Sequence, residues 1–219
     1  PDPAMIDMFN AMVDEMFDYG RFILKSKRQN PSEDLLSAIA NAKIGDEKLT
    51  DEFLDGSWLL IIFAGNDTTR NTMSGGIKLL HENQSQKDLL MNNLDLLPNF
   101  INETVRCVSP VIHMRRTSLE EAEINGQKIG PYEKISLWYG AANRDPDIFE
   151  NPDEFNILRE NADKHLAFGI GRHTCLGKPV ALMQLKEFYS QFLTRFKDFE
   201  MNGDWKVAPN NFVHAIQEM

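Results

Sequence analysis

The feature that most restricts this chain is a helical pattern that starts at Thr50 and runs to about His81, far beyond the ~12-residue average helix. Thr50 is a good N-cap, and Asp51 and Glu52 place negative charge in the first turn, where the helix dipole favours it. The middle of the segment breaks local rules. Gly65, Asn66, Asp67, Thr68 and Thr69 are weak helix formers in succession. Violations inside a strong element often mark a functional site.

The flanking pattern is also helical at first. Met5 to Lys27 carries apolar residues at helical spacing, and Pro31 ends that run. Ser32-Glu33-Asp34 starts a short helix through Leu35, Leu36 and Ile39. Two more helices follow, near Gln84 to Met91 and Leu94 to Cys107, the second closed by Pro110. Then short strands are predicted at Val111 to Thr117, Ala122 to Asn125, Gln127 to Ile129 and Lys134 to Trp138, with Asn125-Gly126 as a hairpin turn. An irregular stretch covers 143–167, a Gly-rich loop 168–177, and a final long helix 176–196. Asn211 to Ile216 reads as a last hairpin. The class is mainly α with small peripheral β-sheets, without internal repeats.

Bulk properties narrow the function. A net charge of −10 argues against non-specific nucleic-acid binding, which needs basic surface. The longest apolar run, Trp58 to Ala64, is seven residues, against the ~18 that a membrane span requires. Two cysteines, Cys107 and Cys175, make neither a disulfide framework nor a four-cysteine zinc site and point to a reducing, cytoplasmic setting. Without a leading Met, the chain reads as a piece of a longer protein.

The strongest constellation is Phe168-Gly169-Ile170-Gly171-Arg172-His173-Thr174-Cys175-Leu176-Gly177. A cysteine at a helix start gains from the dipole and from unpaired N–H groups, which favour a thiolate. Glycines let the backbone approach a flat cofactor. The blander alternative is a buried cysteine in a tight turn. The pattern Phe168, Gly171, Cys175, Gly177 resembles the haem loop of the cytochrome P450 superfamily. The resemblance makes Cys175 the iron ligand and His173 a propionate partner, with Phe168, Gly169 and Gly177 lining the cofactor. The run Ala64-Gly65-Asn66-Asp67-Thr68-Thr69 resembles the same family's oxygen-activation motif. Ala64 and Gly65 then lie beside the haem, Gly65 permits a local opening of the helix, and Asp67 and Thr68 deliver protons. Glu103 and Arg106 share a helix face. The resemblance adds Arg159, by its offset after Asn151-Pro152-Asp153-Glu154-Phe155, as a third, structural partner. Arg116 becomes a second propionate partner, with Arg115 solvated. His165 is expected to pack rather than ligate, and Cys107 to be an ordinary buried thiol.

The resemblance covers essentially the whole chain. It implies the C-terminal, haem-binding half of the cytochrome P450 fold, one partial domain over 1–219, carrying heme b. The implied activity is a soluble bacterial-type monooxygenase that uses O2 and electrons from NAD(P)H, passed through a ferredoxin reductase and a ferredoxin. Arg172 and Lys178, beside the cysteine, are candidate docking charges. Phe63, Val111, Ile112, Phe212 and Val213, with Ala64, are apolar, so a hydrophobic small molecule is expected, with alkane, sterol side chain or isoprenoid as candidate classes. A peroxide-driven variant would not need Asp67 and Thr68. A truncated haem-binding fragment without turnover is the non-catalytic rival. A cysteine hydrolase would need a His and an acid aimed at Cys175, and the motif order offers none.

Overall fold

The computed structural model describes residues 2–218. By their contacts these group into two compact units, one through Asn66 and one from Asp67, where the sequence suggests one partial domain.

The first unit opens with α1 (Pro3–Gln29), whose N-cap Asp2 accepts from Ala4 N. Next comes α2 (Leu35–Ala40), capped by Asp34, whose carboxylate accepts from Ser37 N. A tiny antiparallel pair, β1 (Lys43–Ile44) with β2 (Glu47–Lys48), turns at Gly45, where φ is +63°; no alternation announces it in the sequence. Thr50 then caps α3 (Asp51–Glu82), its hydroxyl accepting from Phe53 N at 3.3 Å. Leu24, Ala40, Leu54 and Trp58 form the core of this unit. Trp58 crosses so close to Gly20 that a Cβ there would lie 2.5 Å from the indole. The indole N–H donates to Met16 O at 3.0 Å. Residues 51–82 are helical throughout, so backbone pairing carries the weak helix formers through.

The second unit continues with α4 (Gln84–Asn92) and α5 (Leu97–Val108). A short 3-10 turn, Leu94–Leu96, precedes α5, so the α-helix begins three residues later than the pattern suggests. Ser109 ends it in the left-handed region, φ +42°, before Pro110. Strand β3 (His113–Thr117) pairs antiparallel with β6 (Lys134–Trp138), and between them β4 (Ala122–Ile124) pairs with β5 (Gln127–Ile129). Asn125 and Gly126 both have positive φ, the geometry a two-residue hairpin turn needs. A short helix, α6 (Tyr139–Ala142), leads into the irregular stretch. The last helix, α7 (Lys178–Arg195), starts at 178 rather than 176.

The closing hairpin differs from expectation. Its strands are β7 (Lys206–Val207) and β8 (Ile216–Glu218). Residues 208–215 form the connection between them, and Val213 makes an isolated bridge to Val111. Val111 therefore lies outside β3.

Ile77, Leu80, Phe100, Val105, Leu185, Tyr189 and Leu193 are among the buried residues of the main core. Burial of each such side chain contributes roughly 1.5–3 kcal/mol. The helices approach closely at Gly76, where a Cβ would sit 2.0 Å from the Tyr189 hydroxyl. That hydroxyl donates to Thr72 O at 2.9 Å and Met73 O at 3.0 Å, and burial raises its pKa.

Candidate functional site: a cysteine loop beside a buried charge cluster

Gly169 has φ +69° and Gly171 φ +66°, backbone that L side chains rarely adopt. At Gly169 a Cβ would also lie 3.0 Å from His173 O. These bends return the chain so that Cys175 N donates to Phe168 O at 2.8 Å. The Thr174 hydroxyl closes a smaller ring, donating to Gly171 O at 2.9 Å. Cys175 itself is exposed, as are Ile170, Leu176 and Gly177. It precedes α7 by three residues, and its carbonyl accepts from Lys178 N, the first residue of that helix, at 3.2 Å. Behind the loop, Lys178 Nζ sits 5.5 Å from the centre of the Phe168 ring. His165, 7% exposed, packs against the same ring at 5.6 Å between centroids. Burial first, and then the Lys178 charge, lower the His165 pKa to about 4.

On α5 a second assembly is closed off from water. Glu103 and Arg106 are both 0% exposed and Arg159 is 7%. Glu103 Oε2 accepts from Arg106 Nε at 2.7 Å. Its Oε1 accepts from Arg106 Nη2 at 2.8 Å, from Arg159 Nε at 3.1 Å and from Asn156 N at 3.0 Å. The remaining guanidinium donors reach backbone carbonyls. Arg106 donates to Asn143 O, Pro152 O and Glu154 O, and Arg159 to Glu150 O, Asn151 O and Glu154 O. Burial, the largest single influence, discourages the Arg106 charge, but the hydrogen bonds to Glu103 and the nearby negative groups together exceed it and hold the guanidinium above its ordinary pKa. Buried charges persist when paired and fully hydrogen-bonded in this way. Cys107, half-buried beside Glu103, has its thiol pushed up to about 11, first by burial and then by that carboxylate.

The other sequence-nominated residues fall into two places. Val111, Ile112, Phe212 and Val213 come together: Val111 bridges Val213, and Ile112 N donates to Phe212 O at 2.8 Å. On α3, Asp67 pairs with Arg70 at 2.7 Å, and Thr68 O accepts from the Thr72 hydroxyl at 2.8 Å. Phe63, Ala64 and Gly65 are exposed and belong to the first unit. Arg116 is half-buried on β3 and opposes Ile135 across the pair, whereas Arg115 and His173 are exposed. Arg116 donates to Arg115 O at 2.8 Å, and neither Arg116 nor His173 forms an ion pair among the described residues.

The donor set suits a haem. A single exposed soft sulfur matches iron, and left-handed glycines hold the backbone back from it. The Arg116 guanidinium and an imidazole N–H of His173 suit two carboxylates as hydrogen-bond partners.

Sequence reasoning missed Asn143, which is fully buried. Its side-chain oxygen accepts from Leu166 N at 2.6 Å, and its amide donates to the Ser109 hydroxyl at 2.8 Å. A lone Asn in an irregular stretch carries no periodicity that would single it out.

Comparison with known proteins identifies the family. The cytochrome P450 family model matches residues 3–215. Linalool 8-monooxygenase of Pseudomonas putida is 35% identical over 205 residues, covering 94% of this chain and 50% of that protein. Steroid C26-monooxygenase of Mycobacterium tuberculosis is 36% identical over 205 residues, covering 92% of this chain and 55% of that protein. Among solved structures, Cytochrome P450-153 from Novosphingobium aromaticivorans superposes with a TM-score of 0.88 at 34% identity, over 99% of this chain and 54% of that one. The chain belongs to the cytochrome P450 family. It spans about half the length of the curated relatives it matches and carries part of the family fold, with small sheets beside a mainly helical body.

Proposed function

We propose that this chain is the haem-binding part of a haem-thiolate monooxygenase that inserts one oxygen atom of O2 into a C–H bond of a hydrophobic substrate. The observation that carries the reading is Cys175, exposed in a glycine-bent loop and clamped through its own N–H to Phe168 O, in a chain of this family. Cys175 would hold the iron. His173 and Arg116 would take the propionates, and Phe168, Gly169 and Gly177 would lie against the ring. Ala64 and Gly65 are the family-position contacts on α3. The thiolate-ligated haem, when bound, supplies the O2-splitting chemistry.

This chain's own residues do the rest. Asp67, half-buried and paired with Arg70, and the neighbouring Thr68 hydroxyl would relay protons toward the site of oxidation. Glu103, Arg106 and Arg159 keep the loop's surroundings rigid. Val111, Ile112, Phe212 and Val213, brought together by the bridge to the closing hairpin, give an apolar wall. Relatives named for linalool, a steroid and a methyl-branched lipid support a hydrophobic substrate. Two thiols without a disulfide support a reducing compartment. No helix among the described residues is long and apolar enough to cross a membrane.

Electrons from NAD(P)H would arrive through a ferredoxin docking near Arg172 and Lys178. Arg172 is exposed, while Lys178 is half-buried over Phe168, which leaves Arg172 the freer docking charge.

The test uses the full-length polypeptide with haem, NAD(P)H, a ferredoxin and its reductase, terpene and lipid substrates and isotopically labelled O2. One labelled oxygen atom per product is expected. Asp67→Asn and Thr68→Ala should each slow product formation by roughly a hundredfold, the lower end of what positioned proton transfer contributes. Haem binding with no labelled product would favour a fragment without turnover. Product formation driven by peroxide alone, indifferent to both substitutions, would favour a peroxygenase.

A further inference from the structure

We propose that Asn143 is the positioning residue that fixes the cysteine loop to the buried Glu103–Arg106–Arg159 cluster, an inference that rests on reading Cys175 as the iron ligand. Asn143 follows α6 and is 0% exposed. All its polar groups face partners of different origin. Its N–H donates to Tyr139 O at 2.8 Å, and its carbonyl accepts from Arg106 Nη1 at 2.8 Å. The side-chain amide donates to the Ser109 hydroxyl, which in turn donates to Arg106 O, each at 2.8 Å. The side-chain oxygen accepts from Leu166 N at 2.6 Å. The amide orientation follows from chemistry: a backbone N–H can only donate, so oxygen must face Leu166.

Leu166 is where the loop begins. Its carbonyl accepts from Gly169 N at 2.8 Å, closing a turn whose third residue is Phe168. Phe168 O then holds Cys175 N. The path from Arg106 to the cysteine backbone thus runs through Asn143, Leu166 and Phe168, with only Ala167 between the last two. Arg106 cannot shift without moving Asn143 O, and the Leu166 turn is tied to the same residue. A rigid cluster on α5 therefore sets where Cys175 stands, although among the described residues neither Glu103 nor either arginine hydrogen-bonds the loop itself.

Three variants of the full-length polypeptide separate positioning from mere support. Asn143→Ala leaves the Leu166 N–H unpaired. Asn143→Asp keeps an acceptor for it, and the Ser109 hydroxyl can rotate to donate. Ser109→Ala removes the other partner and leaves the Leu166 bond intact. The readouts are the rate of haem loss to excess apo-globin, the fraction of the reduced carbon-monoxide complex that is sulfur-ligated, and the urea midpoint. Asn143→Ala should lose haem at least about tenfold faster, the scale of orphaning a buried donor, with a smaller sulfur-ligated fraction. Asn143→Asp should restore both to within about threefold. Ser109→Ala should lower the urea midpoint yet leave haem loss within the same range.

Asn143→Ala losing haem no faster than a Ser109→Ala protein of equal stability overturns the inference. Should Asn143→Ala not fold, amide exchange in the wild type decides: Leu166 N–H protected like the amides of α5 supports the tie, and rapid exchange refutes it. A wild type with no sulfur-ligated band fails earlier, at Cys175, and is thereby distinguished from failure of the Asn143 link alone.

Discussion

The charge cluster on α5 and the cysteine loop are opposite solutions to placing polar groups. Glu103, Arg106 and Arg159 are buried, and their polar atoms find partners inside the chain. Such a set is rigid because any loss strands a charge in low dielectric. The loop spends little on itself. Gly171 through Gly177 are exposed, bent by glycines and held by a few backbone bonds. A segment with that character gains its order from what it binds. One region is closed around its own partners and the other is open to solvent, and Asn143 hydrogen-bonds Arg106 on one side and Leu166 on the other.

Breaking the first region should cost most. Glu103→Ala leaves two buried guanidiniums facing each other and should destabilise the full-length polypeptide by about 3–5 kcal/mol in urea unfolding. A loss below about 1 kcal/mol would mean the cluster is solvated. Between the two regions, His165 gives a pH signature. Its folded pKa is about 4 against an ordinary 6.5, so the unfolded chain binds the proton more readily. Its contribution is present above pH 6.5 and lost as pH falls toward 4, by at most about 3 kcal/mol. His165→Phe should flatten that part of the stability–pH curve, and an unchanged curve would show that His165 is not buried as described.

The loop should respond in the reverse sense, with the smallest effect on stability. Leu176→Ala, at a residue 76% exposed, should change unfolding by no more than about 0.5 kcal/mol while altering haem retention. In the haem-free protein, Cys175 should alkylate readily because it is exposed, and Cys107 slowly because its thiol is pushed to about 11. Haem should protect Cys175 from the reagent and leave Cys107 unaffected. Equal labelling of both thiols would contradict the contrast.

Much of this was legible in the residues because the signals are local. The helix start at Ser32-Glu33-Asp34, the cap at Thr50, the Asn125-Gly126 turn and the long helical pattern of α3 are read from neighbours in sequence, and they formed. The cysteine loop was legible because its glycines and sulfur stand at fixed spacing. What stayed hidden depends on distant contacts. Asn143 gains its meaning from Arg106, Ser109 and Leu166, which only folding brings together. The close approach at Gly76 is visible only once Tyr189 lies over it. The closing hairpin was displaced because strands of two and three residues carry too little alternation to register, so its apolar connection, Phe212 and Val213, looked like the strand itself. The helix through Gly65 to Thr69 forms as its pattern predicts, because five weak helix formers cost less than the backbone bonds of a 32-residue helix supply.

The most direct measurement is the absorption of the reduced, carbon-monoxide-bound full-length polypeptide, with Cys175 intact and as Cys175→Ser. Sulfur ligation through this residue predicts the thiolate-type Soret band in the first and its complete absence in the second. The same band at the same intensity in both would contradict it.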